Sequence, residues 1–203
     1  MAAKTDPTED TAIDDTATDG RVLRGQRNRE AIVDAMVAMF EQGNLRPTAA
    51  QVAETAGLST RSVYHHFDDM KSLALEVTSR SEARMRPPDF TAMSNVALNE
   101  RICMFVEHRF DRWRQTSAVV RAGLLAEYDS HIVAELLSLG REARIQEVRT
   151  VFADAVTGTD EEAVFAALDV VFGYDTWHRL IDVREIEGAT AENLVAKMAH
   201  ALI

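Results

Sequence analysis

Five polar residues between positions 60 and 65 carry side chains that could recognise nucleic-acid bases and phosphates. Arginine offers paired donors to guanine, and hydroxyl side chains reach base edges or phosphate oxygens. The apolar Val63 and Phe67 lie four residues apart, so a helix through both would pack them inward and leave the polar groups outward. The outward residues are Thr60, Arg61, Ser62, Tyr64 and His65.

This segment is predicted to form the second of two short helices that are joined by a tight turn. Thr48 is a good N-cap for the first helix, whose apolar Val52 and Ala56 fall on one face. Gly57 suits the left-handed residue that ends a helix, and Ser59 can cap the second helix. This pattern predicts a helix-turn-helix, whose second helix can lie in the DNA major groove. The alternative is a solvated helix in an ordinary bundle.

The segment closely resembles the N-terminal domain of TetR-family transcriptional regulators, over roughly residues 24–77. The resemblance implies a three-helix helix-turn-helix DNA-binding domain followed by a helical domain for effector binding and dimerisation. The matching residues are Thr48, Val52-Ala53, Ala56-Gly57-Leu58-Ser59, Val63-Tyr64, His66-Phe67 and Leu73.

The DNA contacts are assigned from the residue types in this surface. Arg61 is the best candidate for a guanine contact, and Tyr64 and Thr48 are expected to hold phosphates. The residues expected to face bases are Thr60, Arg61, Ser62 and His65.

Basic residues on either side of the helix-turn-helix are expected to approach the DNA backbone. Arg24 or Arg27 is predicted to reach a phosphate, with plain solvation as the alternative for each. The family commonly places a phosphate-contacting lysine three residues after the aromatic Phe67. Here Met70 occupies that position, and the contact is assigned to Lys71, although one position turns a helical side chain by about 100°. The arm before the first helix comprises Arg21, Arg24, Arg27 and Arg29.

Composition indicates an all-α protein. The chain is 46 % hydrophobic with only four prolines, and apolar residues recur at helical spacing without sustained alternation. The single Cys103 excludes an intramolecular disulfide and a cysteine-based zinc site. The sequence shows no signal peptide and no apolar run of membrane-spanning length, so a cytoplasmic protein with no membrane partner is expected.

Charge is distributed unevenly along the chain, which carries −11 overall. Residues 1–20 hold six acids and one lysine, and residues 87–203 hold nineteen acids and eleven lysines and arginines. Residues 21–86 instead hold ten lysines and arginines and eight acids. Because phosphate affinity depends on the local field, the positive balance of the middle segment favours DNA binding there.

The predicted organisation has four parts. They are a disordered acidic tail (1–20), the helix-turn-helix DNA-binding domain (21–68), a linking helix (69–88) and a helical ligand-binding and dimerisation domain (89–203).

Four or five helices are predicted in the last part. Thr159 with Glu162 three residues later resembles a capping box, and Thr190 is expected to cap the final helix. The predicted ranges are 93–114, 118–128, 132–156, 159–183 and 190–202.

Polar and aromatic residues inside these apolar helices predict a pocket for a small-molecule effector, which the resemblance also implies. Ordinary packing is the alternative for each residue. No catalytic or phosphate-binding motif is present, so no enzyme activity, cofactor or metal is expected; a metal site at His108, Asp175 and His178 would require a convergence that the sequence does not show. The predicted lining residues are Phe105, His108, Trp113, Tyr128, Tyr174, Trp177 and His178.

The last two predicted helices are too apolar for a lone surface hairpin, and the resemblance implies that they form a four-helix homodimer interface. Packing within one protomer would explain the same pattern. The predicted interface residues are Phe165, Leu168, Phe172, Leu194, Met198 and Leu202.

The sequence therefore predicts a dimeric regulator that binds a near-palindromic double-stranded DNA operator and is released from it by an effector, most simply as a repressor. Two alternatives are an effector-independent architectural DNA-binding protein and a helical ligand-binding protein with a vestigial DNA-binding unit.

Overall fold

The computed structural model describes residues 14–84, 88–93 and 95–203, and every regular element in those ranges is helical, as predicted. A π-helical turn, Arg179–Val183, follows the ninth α-helix. The α-helices in the described ranges are α1 (Asp14–Glu41), α2 (Ala49–Thr55), α3 (Thr60–His66), α4 (Met70–Arg84), α5 (Phe90–Met93), α6 (Leu98–Glu127), α7 (His131–Phe152), α8 (Glu161–Phe172), α9 (Tyr174–His178) and α10 (Gly188–His200).

The predicted helix-turn-helix is confirmed in its local geometry. At the start of α2, the Thr48 hydroxyl accepts the Gln51 N–H at 3.3 Å, and the Gln51 side chain accepts the Thr48 N–H at 2.9 Å. This is a capping box, which satisfies two backbone donors that the helix leaves unpaired. Gly57 follows α2 with φ +67°, and Ser59 Oγ then accepts the Ser62 N–H at 3.1 Å to start α3.

The N-terminal core lies between α1, α2, α3 and α4. Val63 and Phe67 are buried in it, as their spacing predicts, and Leu73 and Val77 attach α4 to the same core. The second half of α6 also enters it, through Ala118, Val119 and Ala122. We call α1–α3 the helix-turn-helix unit.

The C-terminal core surrounds the first half of α6 with residues of α7, α8, α9 and α10. Phe105 lies near its centre, with ring centroids 5.4 Å from Phe152 and 4.8 Å from Phe172. Trp113 adds a hydrogen bond between α6 and α8, because its indole N–H donates to the carbonyl of Phe172 at 3.2 Å. Edge-to-face contacts of this kind add to the free energy gained from burial of the rings.

Two arginines of α6 are buried against this core and paired with acids of α7 or its C-terminal end. Arg109, 2 % exposed, forms an ion pair with Glu147 at 2.8 Å and donates to the Arg144 carbonyl at 3.1 Å. Arg101 donates to the Val151 carbonyl at 2.8 Å and pairs with Asp154. Removing one partner would leave a buried charge uncompensated, which is strongly destabilising.

Several predicted helix boundaries are corrected. The ranges 93–114 and 118–128 are largely one helix, α6, because Thr116 is buried and its hydroxyl bonds back to the Arg112 carbonyl at 2.8 Å instead of breaking the helix. The tail is corrected in part: α1 begins at Asp14, so residues 14–20 are helical, and residues 1–13 lie outside the described residues.

The predicted caps of the last two helices are wrong. Asp160 precedes α8 without a side-chain cap hydrogen bond, so the Thr159–Glu162 capping box does not form. Glu162 instead pairs with Arg149 of α7, and this ion pair lowers the pKa of Glu162. The final helix starts at Gly188 after Glu187, two residues before Thr190.

The predicted helix over 159–183 is interrupted at Gly173. A Cβ at this position would lie 2.9 Å from the Asp169 carbonyl oxygen, which is closer than real Cβ contacts come. The break leaves the Val170 carbonyl to accept the Thr176 hydroxyl at 2.6 Å, and the Phe172 carbonyl to accept Trp113. Gly173 therefore lets α8 and α9 meet at an angle that buries Tyr174.

Substitution of Gly173 tests this junction. Gly173→Ala is expected to lower the free energy of unfolding by about 1–3 kcal/mol, because the new Cβ must displace backbone. The measurement is the midpoint of urea unfolding followed by circular dichroism. Gly25→Ala is the matched control, since nothing lies within 4 Å of its Cβ in the middle of α1, and it should be neutral or stabilising.

Candidate nucleic-acid interface and internal cavity

Most of the polar residues predicted to face DNA lie on the exposed face of α3. Thr60, Arg61, Tyr64 and His65 are all exposed, with Tyr64 53 % exposed in spite of its aromatic ring. Val63 on the opposite face is buried, so α3 is anchored by one side and offers the other to a groove. This arrangement suits direct contact with base edges and phosphates.

Ser62 and Thr48 already have structural partners. The Ser62 hydroxyl is 2.9 Å from Ser59 Oγ, within the cap of α3. The Thr48 hydroxyl donates to the Gln51 side-chain oxygen at 3.1 Å, and Thr48 remains exposed. The contacts of Ser62 and Thr48 with DNA stay predictions. Each contact would be made by a side chain that also takes part in the N-terminal cap of a helix.

Arg29 of the basic arm has a structural position of its own. Its guanidinium donates to the His66 carbonyl at 2.7 Å, pairs with Glu76 at 3.2 Å and lies 4.2 Å from the Phe67 ring centroid. It thereby joins α1 and α4 to the C-terminus of α3. A positive charge at the C-terminus of a helix also interacts favourably with the helix dipole. Hydrogen bonds from Arg80 and Arg29 lower the pKa of Glu76.

The other arginines of the arm are exposed on α1. Arg21, Arg24 and Arg27 all precede Arg29 along this helix. Lys71 is exposed too, but it lies at the wall of the cavity described next, beside Met70. Contacts of Arg24, Arg27 and Lys71 with phosphates stay predictions.

A cavity of about 890 Å³, partly open to solvent, lies between the helix-turn-helix unit and the C-terminal helices. Its walls are mainly apolar, and its size falls within the range of small-molecule sites. Of the predicted lining residues, His108, Trp113 and Tyr174 border it. The sequence missed the contribution of the N-terminal half, which supplies Met36, Phe40, Leu45, Pro47, Met70, Ala74 and Leu75.

The other predicted lining residues lie elsewhere, and those assignments are corrected. Phe105 and Trp177 are buried within the C-terminal core and do not border the cavity. Tyr128 is 90 % exposed at the end of α6. His178 is held by Asp182, with Nδ1 2.8 Å from the carboxylate. Periodicity could not separate them, because an aromatic residue has the same spacing whether it faces a cavity or a core.

Two uncharged polar groups at the cavity wall have unused hydrogen-bonding capacity among the described residues. Neither Tyr174 Oη nor His108 Nε2 has a partner there, although both atoms are buried. Burial raises the pKa of Tyr174 to about 12. Burial and the neighbouring Arg109 and Arg112 lower the pKa of His108 to about 4. At neutral pH this cavity wall therefore presents an uncharged phenol and an uncharged imidazole.

Half of the predicted dimer interface is buried inside the protomer. Phe165, Leu168 and Phe172 are at most 5 % exposed in the C-terminal core, so they present no surface to a partner. This corrects their assignment in favour of the intramolecular alternative. Leu194 and Met198, one turn apart on α10, are instead exposed, and Leu202 is half-buried.

Within the described residues, no group of histidines, cysteines and acids is arranged to hold a metal ion. Over the same part of the chain, no helix is both long enough and apolar enough to cross a membrane.

Comparison with known proteins gives a family match for the N-terminal half. Residues 32–77 match the family described as bacterial regulatory proteins, tetR family. No curated protein matches the chain.

Two solved structures share the fold over most of the chain. A protein from Mesorhizobium loti, assigned to the TetR family of transcriptional regulators, has a TM-score of 0.64 at 12 % identity, over 88 % of this chain and 96 % of its own. A TetR family transcriptional regulator from Pseudomonas syringae pv. tomato has a TM-score of 0.58 at 20 % identity, over 86 % and 94 %. The likeness therefore extends the fold beyond residues 32–77 into the C-terminal helices.

The contacts of Arg29 predict that its side chain stabilises the fold. The exposure of Arg27 predicts that its side chain contributes little to stability. Arg29→Ala is expected to lower the free energy of unfolding by about 1–3 kcal/mol, because it removes a charge-assisted hydrogen bond and an ion pair. Arg27→Ala, on the exposed side of the same helix, should change it by less than about 0.5 kcal/mol. Thermal unfolding of both variants makes the comparison, and equal midpoints would contradict the structural position of Arg29.

The lowered pKa of His108 predicts a loss of stability in acid. The unfolded chain binds a proton at this histidine near pH 6.5, whereas the folded protein resists protonation down to about pH 4. Stability from this group is therefore complete above pH 6.5 and falls as the pH drops toward 4. Unfolding of wild type and His108→Gln from pH 7.5 to 4.5 should show a shallower decline in the variant, with the exposed His131→Gln as control.

Proposed function

We infer that this chain is a sequence-specific DNA-binding transcriptional regulator of the TetR family, a proposal supported by the match of residues 32–77 to that family. The observation that carries this inference is the exposed polar face of α3, held by a capped helix-turn-helix whose other face is buried. A vestigial DNA-binding unit would have no reason to keep both the anchoring core and this outward polar surface. The local positive balance of residues 21–86 supports the same function.

The proposed regulator is a cytoplasmic homodimer. One helix-turn-helix contacts few bases, and two related by a two-fold axis would contact half-sites about 34–36 Å apart in a near-palindromic operator. The exposed Leu194 and Met198 on α10, with the exposed Val170 on α8, support an interface formed by these two helices. Exposed apolar side chains on adjacent helices are typical of such contacts.

The proposed mode of regulation is repression that is relieved by a small molecule. The cavity supports an effector, because an architectural DNA-binding protein would need only a solid core in its C-terminal half. An effector changes DNA affinity only if it binds one arrangement of the dimer better than the other. The mainly apolar walls favour a largely apolar effector. The proposed activity is binding and regulation, without catalysis.

Selection of bound sequences from a random duplex pool, at two salt concentrations, tests DNA recognition. A dimeric regulator should enrich a near-palindrome, with affinity that falls steeply with salt because counterions are released from phosphates. Weak binding without an enriched sequence would contradict operator recognition and leave the ligand-binding alternative.

Arg61→Ala is expected to relax specificity at one position of each half-site and to cost about 1–3 kcal/mol of binding free energy. Arg24→Ala should instead weaken binding to all sequences alike and reduce the salt dependence. Competition binding with operators altered one base pair at a time distinguishes the two. A uniform loss for Arg61→Ala would show a phosphate contact in place of a base contact.

Met198→Asp is expected to convert the dimer to a monomer, because it places a charge in the proposed apolar interface. Sedimentation equilibrium gives the mass, and binding to a full operator should fall toward that of a half-site. Met104→Asp is the matched control, since Met104 is also 38 % exposed but lies on α6. Unchanged mass in the Met198 variant would exclude this face of α10 as the interface.

A further inference from the structure

The helix that carries the polar face toward DNA is attached to the protein by few contacts of its own. The structure describes every residue of α3, and within the helix only Val63 is fully buried. The N-terminus of α3 is fixed by Ser59, whose hydroxyl accepts the Ser62 N–H at 3.1 Å. One buried side chain does not fix the tilt of a helix, and recognition of bases requires side chains held to within about 0.5 Å. The C-terminus of α3 therefore needs a further point of attachment.

Arg29 of α1 contacts this end of α3. Its guanidinium donates to the His66 carbonyl at 2.7 Å and lies 4.2 Å from the Phe67 ring centroid. The last four carbonyls of a helix have no partner within the helix, so the bond uses an acceptor that α3 itself leaves open. A hydrogen bond from a charged donor is roughly twice as strong as one between neutral groups. Arg29 therefore attaches the last turn of α3 to α1.

Glu76 of α4 holds the guanidinium of Arg29 in this place. Its carboxylate pairs with Arg29 at 3.2 Å and accepts Nε–H of Arg80 at 2.9 Å. The three charged side chains are at most 39 % exposed, so salt screens this network less than it screens a fully exposed pair. Since the network orders the end of α3 before DNA arrives, less conformational entropy is lost on binding.

A direct phosphate contact is the alternative role for this arginine, because it belongs to the basic arm. Arg24 and Arg27 of the same arm are exposed, whereas Arg29 is half-buried and its terminal N–H groups are directed to α3 and α4. A phosphate contact through the same N–H groups would release the C-terminus of α3. The contacts of Arg29 therefore favour a role within the protein over one on the DNA.

We propose that Arg29 is a positioning residue for DNA recognition. It fixes the C-terminal end of α3 against α1 and α4, so that the polar face of α3 enters the groove at one tilt. Tyr64 and His65 lie in this half of α3 and depend most on the attachment, whereas Arg61 lies close to the Ser59 cap. The role in recognition rests on the proposed function, because it requires an operator. The attachment of α3 does not.

Arg29→Met tests the role in recognition, because it removes the donors and keeps most of the apolar stem. Affinity for the selected operator should fall about tenfold, and affinity for a scrambled duplex should change by less than about twofold. The salt dependence of operator binding should stay the same, because no phosphate contact is lost. Arg80→Met is the matched control, since Arg80 binds the same carboxylate from within α4, and both of its affinities should stay within about twofold of wild type.

Equal losses on the two duplexes, together with a weaker salt dependence, would show that Arg29 contacts a phosphate and would overturn the proposal. Unchanged affinity for the operator would overturn it as well. Circular dichroism at the temperature of the binding measurement verifies that each variant is folded.

Glu76→Ala distinguishes positioning from a simple effect of charge. Removal of a negative charge beside the helix-turn-helix unit should, by electrostatics alone, raise the affinity for every duplex. Positioning predicts the opposite for the operator, whose affinity should fall about three- to tenfold because Arg29 loses its partner. Arg29→Met should then add little in the Glu76→Ala background, since both changes remove one interaction. An equal rise in affinity for operator and scrambled duplex would contradict the positioning role.

Hydrogen exchange of the free protein tests the attachment of α3 without DNA. The Phe67 N–H is hydrogen-bonded at 2.9 Å in the last turn of α3, and the Val52 N–H is hydrogen-bonded at 3.0 Å at the start of α2. Arg29→Met should speed exchange at Phe67 at least about fivefold and leave Val52 unchanged, because only the end of α3 is released. Arg80→Met should change neither rate.

Unchanged exchange at Phe67, or equal acceleration at Phe67 and Val52, would show that Arg29 does not hold α3 in particular and would overturn the proposal. If no operator is selected, the proposed function fails, and the exchange rate at Phe67 still decides whether Arg29 holds the end of α3. The two failures are therefore distinguishable.

Discussion

The continuity of α6 is the constraint on which the rest of the structure depends. This helix of 30 residues spans about 45 Å, and it belongs to both hydrophobic cores. Phe105 and Phe110 lie in the C-terminal core, and Val119 and Ala122 lie in the N-terminal one. The two halves of the protein therefore share one rigid element, and neither core is complete without it.

Buried arginines fix the register of this shared helix. Arg101 and Arg109 lie two turns apart on α6, and each donates to a backbone carbonyl and pairs with an acid supplied by α7 or the turn that follows it. Sliding α6 along α7 by one turn would strand both charges in an apolar environment. A buried ion pair adds little to the net stability of a protein, but loss of one partner is strongly destabilising. The two pairs therefore favour this packing of α6 on α7 over packings shifted along the helix axis.

The helix-turn-helix could be predicted from the sequence because its determinants are local. A cap at Thr48, a glycine at position 57 and a cap at Ser59 act within a few residues, and the structure confirms each. The C-terminal half could be predicted only as helical. Whether Phe165 faces a partner or its own core depends on which helices surround it, and spacing along one helix carries no such information.

The same limit applies at Thr116, where one helix was predicted as two, and at Arg109, whose burial was not predicted. A hydroxyl in an apolar helix and an arginine beside phenylalanines both resemble features of an exposed or interrupted segment. Their partners, the Arg112 carbonyl one turn back and Glu147 on another helix, make burial acceptable. Glu147 is distant in sequence from Arg109, whereas the Arg112 carbonyl lies only four residues before Thr116. The Thr116 hydrogen bond could therefore have been predicted from the tendency of threonine to bond to the carbonyl four residues earlier.

The position of the cavity follows from the sharing of α6. Between the two cores α6 changes its packing partners. Trp113 and Thr116 lie at this transition, and both border the cavity. A cavity forms where α6 packs against two cores whose other helices diverge. A ligand in this cavity would therefore contact helices of both cores. Any difference in how well the two arrangements accommodate it becomes a difference in their populations.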